Sequence, residues 1–230
     1  MQNPVVFDQK RAASYDKNTA QSAPMFEALR FLTRLVFSGL PEEARILCVG
    51  VGTGSELLDL AGHFPAWHFT AVDPAAAMLE ICRERAQSSG VAERCAFHEG
   101  FLDSLPPSAP FDGATCLMVS HAMADQDERR GFFRQIAARL RVNGILVSSD
   151  LAGDRATPEH EARLAVWMEM LRQSEIPAEQ VEQYRESYAT NAAILPPAEV
   201  AALIGESGFQ TPVLFFQSLL LHAWFSRRSA

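Results

Sequence analysis

Strand-like and helix-like segments alternate from Arg45 to Asp150, which predicts an α/β fold built on a mostly parallel, doubly wound sheet. A glycine-rich turn, Val49-Gly-Val-Gly-Thr-Gly54, separates the first strand from the next helix, where an open α/β sheet places its ligand crevice. Two strand-like runs late in the chain, residues 211–216 and 219–225, lie close enough to pair as an antiparallel hairpin.

Each element has its own signal. Met25, Leu29, Leu32 and Val36 recur at helical spacing after Pro24, which suits a first helical turn. Pro41 breaks the chain, and Arg45-Ile-Leu-Cys-Val-Gly50 reads as a short buried strand. A helix follows from about Ser55 to Ala61, then a second strand, His68-Phe-Thr-Ala-Val-Asp73. Pro74 is expected to open a helix with Met78, Leu79, Ile81 and Cys82 on one side, and residues 94–99 to form a third strand. The fourth, residues 111–119, is apolar enough for both faces to be covered. Residues 129–140 are amphipathic, with Phe132, Phe133, Ile136 and Leu140 in register. Asn143-Gly144 ends that helix, and residues 145–150 are a fifth strand. Residues 158–190 are helical, with Leu164, Trp167, Met168 and Leu171 on one face and Val181, Tyr184 and Tyr188 on another. That pair is either a lid over a site or one more packed layer. Pro197 opens a last helix, expected to end at Gly208. The layout is one domain over residues 1–230. It comprises an N-terminal helical arm or lid (1–40), a ligand-binding core (41–151), a helical insertion (152–192) and a last helix with the closing hairpin (193–230).

Of 230 residues, 48% are hydrophobic and 21% charged, a globular composition rather than a disordered one. Twenty basic against 28 acidic residues leave a net charge of −8, so no basic face for a nucleic-acid duplex is indicated. The apolar run 213–225 is broken by Gln217, Ser218 and His222 and is too short to span a bilayer. The N-terminus lacks the basic-then-apolar pattern of a secretory signal. Cys48, Cys82, Cys95 and Cys116 lie far apart with no Cys-x-x-Cys, so neither a disulfide framework nor a metal site is expected, and a cytoplasmic location is.

Glycines in the turn permit positive φ and let ligand atoms approach the backbone. The turn reads Gly-x-Gly-x-Gly, one residue shorter than the dinucleotide fingerprint, and the Gly-Lys-Ser/Thr of a phosphate loop is absent. Asp73 ends the second strand, 19 residues past Gly54, where a carboxylate accepts hydrogen bonds from two vicinal ribose hydroxyls. Turn, helix, strand and terminal Asp together point to an adenosine-containing ligand. The bland alternative is a tight turn with a helix-capping Asp before Pro74.

Ile46-Leu-Cys-Val-Gly50-Val-Gly52-Thr-Gly54, Ala71-Val-Asp73 and Leu140-Arg-Val-Asn-Gly144-Ile-Leu resemble class I S-adenosylmethionine-dependent methyltransferases of the small-molecule type. The resemblance covers about residues 40–150 and the closing hairpin. It implies a Rossmann-like seven-stranded sheet, and S-adenosylmethionine as cofactor with S-adenosylhomocysteine as product. It further implies a cofactor site of Gly50, Val51, Gly52, Thr53, Gly54, Asp73, Pro74, Met78, Gly100, Phe101 and Val119. Tyr15, in Ala13-Ser-Tyr-Asp, either closes over the cofactor or anchors the N-terminal arm. The chain departs from the family at Cys48, where an acidic residue usually holds the methionine end of the cofactor. It departs again after the third strand, where Phe101, with Asp103 as the alternative, takes the place near the adenine amino group that an acidic residue often holds in the family.

Methyl transfer from a sulfonium is an in-line displacement in which alignment accounts for much of the rate. A base is needed only where the acceptor must lose a proton early. His121, in Val119-Ser-His-Ala-Met-Ala-Asp125, is the base candidate, against the reading in which it packs on the cofactor. Residues 184–197 with Phe215-Phe-Gln217 also resemble carboxy-S-adenosylmethionine synthases, in which an Arg of the inserted helices holds an added carboxylate; Arg185 matches it. Arg185, Tyr184 and Trp167 are thus the candidate substrate residues. The expected partner is a small molecule, with no direct nucleic acid and no membrane, and with homodimerisation left open. The alternatives to methyl transfer are use or synthesis of a modified S-adenosylmethionine and non-catalytic binding of an adenosyl ligand.

Overall fold

The computed structural model describes residues 22–173, 176–190 and 193–230, so Tyr15 lies outside the described residues. The strands are β1 (Arg45–Val49), β2 (His68–Asp73), β3 (Cys95–Glu99), β4 (Phe111–Leu117), β5 (Leu140–Leu151), β6 (Val213–Ser218) and β7 (Leu221–Arg227). They form one seven-stranded sheet in the order β3-β2-β1-β4-β5-β7-β6. β1 to β5 are mutually parallel, and β7 runs antiparallel to both β5 and β6. The Rossmann-like sheet with its antiparallel closing hairpin is therefore present as expected. The helices are α1 (Ala23–Phe37), α2 (Ser55–His63), α3 (Ala76–Ser88), α4 (Gln126–Arg139), α5 (Pro158–Arg172), α6 (Ala178–Thr190) and α7 (Pro197–Gly205).

Successive strand residues point to opposite faces, and here both faces are covered, which explains why the strands read as unbroken apolar runs. Ile46, Cys48, Ala71 and Val147 pack against Phe37 of α1, Leu57 and Leu60 of α2, and Leu79 and Cys82 of α3. Leu47, Val49, Ala114, Cys116 and Leu146 pack on the other face against Phe133 and Ile136 of α4 and Val200 and Ile204 of α7.

Several boundaries differ from the sequence expectation, by two residues at the end of α2 (His63), the end of β4 (Leu117) and both closing strands, and at four further places with a visible cause. α3 starts at Ala76 rather than Pro74, because the Asp73 carboxylate accepts the Ala75 amide at 2.8 Å and holds an extra turn before the helix. α4 starts at Gln126 rather than Arg129. Asp125 caps it by accepting the amides of Asp127 and Glu128, and its acidic first turn suits the helix dipole. β5 begins at Leu140, which already pairs with Phe111. Asn143 (φ 63°) and Gly144 then form a bulge before Ile145 resumes the register. α7 ends at Gly205, and the chain turns through Gly208 (φ 95°) instead of continuing helically.

The insertion makes its own core over the carboxyl edge of the sheet. Leu164, Trp167 and Met168 of α5 and Val181 of α6 meet Leu151 at the end of β5 and Leu220 and Leu221 at the start of β7. The insertion is thus a packed layer against the end of β5 and the start of the closing hairpin's last strand.

Candidate functional site

The chain leaves β1 for β2 on one side and later reaches β4 on the other, so the order reverses between β1 and β4. An open sheet makes its ligand crevice beyond the carboxyl ends at such a switch point. The glycine turn follows β1 at that point, with Gly50, Gly52 and Gly54 all at positive φ. Two of them are also required by close packing. A Cβ on Gly50 would lie 2.4 Å from Val119 Cγ2, and one on Gly54 would lie 2.5 Å from the Cys82 sulfur. The turn is therefore pressed between the chain after β4 and helix α3. The amides of Gly50 and Val51 both donate to the Val72 carbonyl, while the Val51 side chain is buried in the core. Thr53 is buried, and its carbonyl accepts from Arg85.

Asp73 sits beside the turn. One carboxylate oxygen accepts the Gly52 amide and the other the Ala75 amide, both at 2.8 Å. Burial pushes its carboxyl up, partly offset by those two amides. A carboxylate offers about four lone-pair sites, so two remain for a ligand's hydroxyls. Met78 is buried against Gly52, Pro74 is exposed at the rim, and the Gly100 amide donates to the Asp73 carbonyl. Phe101 follows with its ring 62% exposed, a large apolar face open beside the turn. Asp103 instead lines a separate cavity of about 510 Å³ with Arg139 and Pro107.

The second half of the site follows β4. Met118 takes a left-handed backbone (φ 60°), its amide donating to the Ser149 carbonyl at 2.7 Å. Such a conformation costs a non-glycine residue about 1–3 kcal/mol and persists only where its surroundings enforce it. The kink lays Val119 on Gly50 and turns Ser120 and His121 toward Asp150, near the end of β5. The Asp150 carboxylate is completely buried and fully used. One oxygen accepts the His121 amide at 2.8 Å and its ring Nδ1 at 3.2 Å, and the other accepts the Ser120 hydroxyl at 2.6 Å and Arg129 at 3.1 Å. Burial opposes its ionisation, yet the His121 hydrogen bond and the Arg129 charge hold it below the usual carboxylate range. Arg129, itself fully buried, also donates to the Ser120 hydroxyl at 2.9 Å and the Ala193 carbonyl at 3.1 Å. Sequence reasoning missed Asp150 and Arg129 as site residues, though both left a trace. Asp150 ends a buried strand as Asp73 does, and Arg129 falls four residues before Phe133 and seven before Ile136, on the apolar stripe of α4.

A third acid, Glu56, stands in the first turn of α2. Burial, and after it the Asp73 charge, push its carboxyl up to about 7. Cys48 is fully buried, and burial pushes its thiol well up, so it carries no charge toward the crevice.

The candidate substrate residues do not gather at the turn. Trp167 is 4% exposed and belongs to the insertion's core, its indole N–H reaching the Tyr188 hydroxyl at 3.4 Å. Tyr184 stacks on Tyr188. Arg185 is exposed and lines a cavity of about 100 Å³ with Glu161 and Arg172, with no described contact to the glycine turn. Among the described residues no helix is long and apolar enough to cross a membrane, and no group of His, Cys, Asp or Glu could hold a metal ion.

Residues 46–144 match the family model described as a methyltransferase domain. The carboxy-S-adenosyl-L-methionine synthase of Campylobacter lari is 34% identical over 98 residues, 42% of this chain and 41% of that protein. The chain spans between 24% and 44% of the length of the curated relatives it matches. The structure of a mitomycin 7-O-methyltransferase superposes with a TM-score of 0.69 at 22% identity, over 99% of this chain and 62% of that one. Human N-acetylserotonin methyltransferase, solved with S-adenosylmethionine, gives 0.66 at 15% identity, over 97% of this chain and 57% of that one. These structures share the fold.

Proposed function

We infer that this chain, whose residues 46–144 match a methyltransferase domain, uses S-adenosylmethionine to methylate a hydroxyl-bearing small molecule with His121 as base. S-adenosylmethionine, when bound, supplies an activated methyl group. The residues present suit it. The glycine turn offers bare backbone, Asp73 keeps acceptor capacity for ribose hydroxyls, and Met78 and the exposed ring of Phe101 offer apolar contact to an adenine. The observation that carries the hydroxyl reading is the His121–Asp150 pair. Asp150 accepts a hydrogen bond from Nδ1–H in the tautomer that leaves Nε2 to take a proton from the acceptor, and Val119 against Gly50 ties this pair to the turn. Arg185, exposed and away from the turn, lends no support to a modified cofactor.

The test is formation of S-adenosylhomocysteine, followed by mass spectrometry, with a panel of phenols, enols and carboxylic acids beside amines and thiols. Turnover of a hydroxyl acceptor that His121→Ala lowers by at least a hundredfold, with cofactor affinity unchanged, is expected. Turnover confined to amines, or untouched by His121→Ala, overturns the reading.

A further inference from the structure

Among the described residues Arg129 is the largest fully buried side chain, and methyl transfer with His121 as base gives it no direct part. Its guanidinium engages three acceptors from three places: Ser120 in the turn after β4, Asp150 on β5, and the carbonyl of Ala193 in the chain leaving the insertion. The Ala193 amide in turn donates to the His121 carbonyl at 3.0 Å. One planar fork thus closes a ring joining the base, its carboxylate and the segment after α6. Each acceptor is reached from a different guanidinium nitrogen, a spread that the single nitrogen of a lysine ammonium does not have.

We propose that Arg129 is a positioning residue for His121, which fixes how much of the Asp150 charge the imidazole feels and couples the base to the seating of the insertion. This deepens the base reading and rests on it. The electrostatic logic is simple. With Arg129 present, Asp150 is neutralised by a neighbouring cation, and His121 faces a pair of net charge zero. Without Arg129 the whole carboxylate charge falls on His121 and favours its protonated form, which cannot act as a base. Other titratable groups near Asp150 are the buried Cys116 thiol and His222, directly across from Asp150 on β7, whose ring burial drives toward neutrality. Neither brings a charge that could replace the guanidinium.

The test is the pH profile of kcat/KM in the intact protein. Arg129→Met should move the acidic limb upward by about one pH unit. The double variant Arg129→Met/Asp150→Asn, which again leaves no net charge beside the histidine, should bring it back. Arg129→Lys keeps the charge and loses the fork, so its limb should stay in place while kcat falls about tenfold and cofactor affinity holds. If Arg129→Met proves too unstable to assay, the lysine variant decides. Unchanged kcat in Arg129→Lys overturns the proposal, as does an unmoved limb in a folded Arg129→Met. Loss of the His121→Ala effect overturns instead the base assignment beneath it.

Discussion

Asp73 holds the fold with a carboxylate that keeps acceptor capacity to spare. It fastens Gly52 and Ala75 through the same carboxylate that a ribose would share. Asp73→Ala should weaken S-adenosylmethionine binding by about 1–3 kcal/mol, the scale of lost charge-assisted hydrogen bonds, as read by calorimetry. Unchanged affinity removes the ribose assignment. Glu56 gives a second, pH-dependent outcome. Its carboxyl is raised from 4.5 in the unfolded chain to about 7 in the fold, so the unfolded chain releases this proton first as pH rises. The folded state is therefore favoured below pH 4.5, and that advantage is lost as pH climbs through about 7. Glu56→Gln should flatten this decline, seen as a gain in Tm at pH 8 and little change at pH 4. An equal gain at both would mean that packing, not charge, is responsible.

Among the elements, those built by short-range pattern were legible in the sequence. β2, His68–Asp73, was read to the residue, because its short apolar run starts at a polar His68 and stops at Asp73 before Pro74. The start of α4 was hidden because Asp125-Gln-Asp-Glu resembles a polar loop, whereas the side chain of Asp125 makes it a cap. The partners of His121 were not legible, since Ser120, Arg129 and Asp150 meet only once β4 and β5 pair and α4 folds back on them. The same holds for Trp167, whose aromatic character suggested a substrate contact and which the fold gives to the insertion's core. Trp167→Ala should cost about 3–5 kcal/mol in urea denaturation, as for a large aromatic removed from a packed interior. A variant as stable as the parent but with a raised KM for its acceptor would return the residue to substrate binding.

For the molecule as a whole, binding of S-adenosylhomocysteine should report on one cooperative sheet. At roughly hundredfold excess over Kd, a ligand of the folded state alone adds about 2.7 kcal/mol. For a chain of this size that is a rise in Tm of roughly 5–10 °C, which a dinucleotide should not reproduce. A shift of only part of the melting transition would mean that the cofactor half and the insertion half unfold separately. The strand order has a consequence in time as well as in space. The glycine turn and Asp73 are in hand once β1 and β2 have been synthesised, but β5, which carries Asp150, gains its outer neighbour only when residues 221–227 emerge to pair with it. Until then the outer edge of β5, with Asp150 on it, has no strand to pair with.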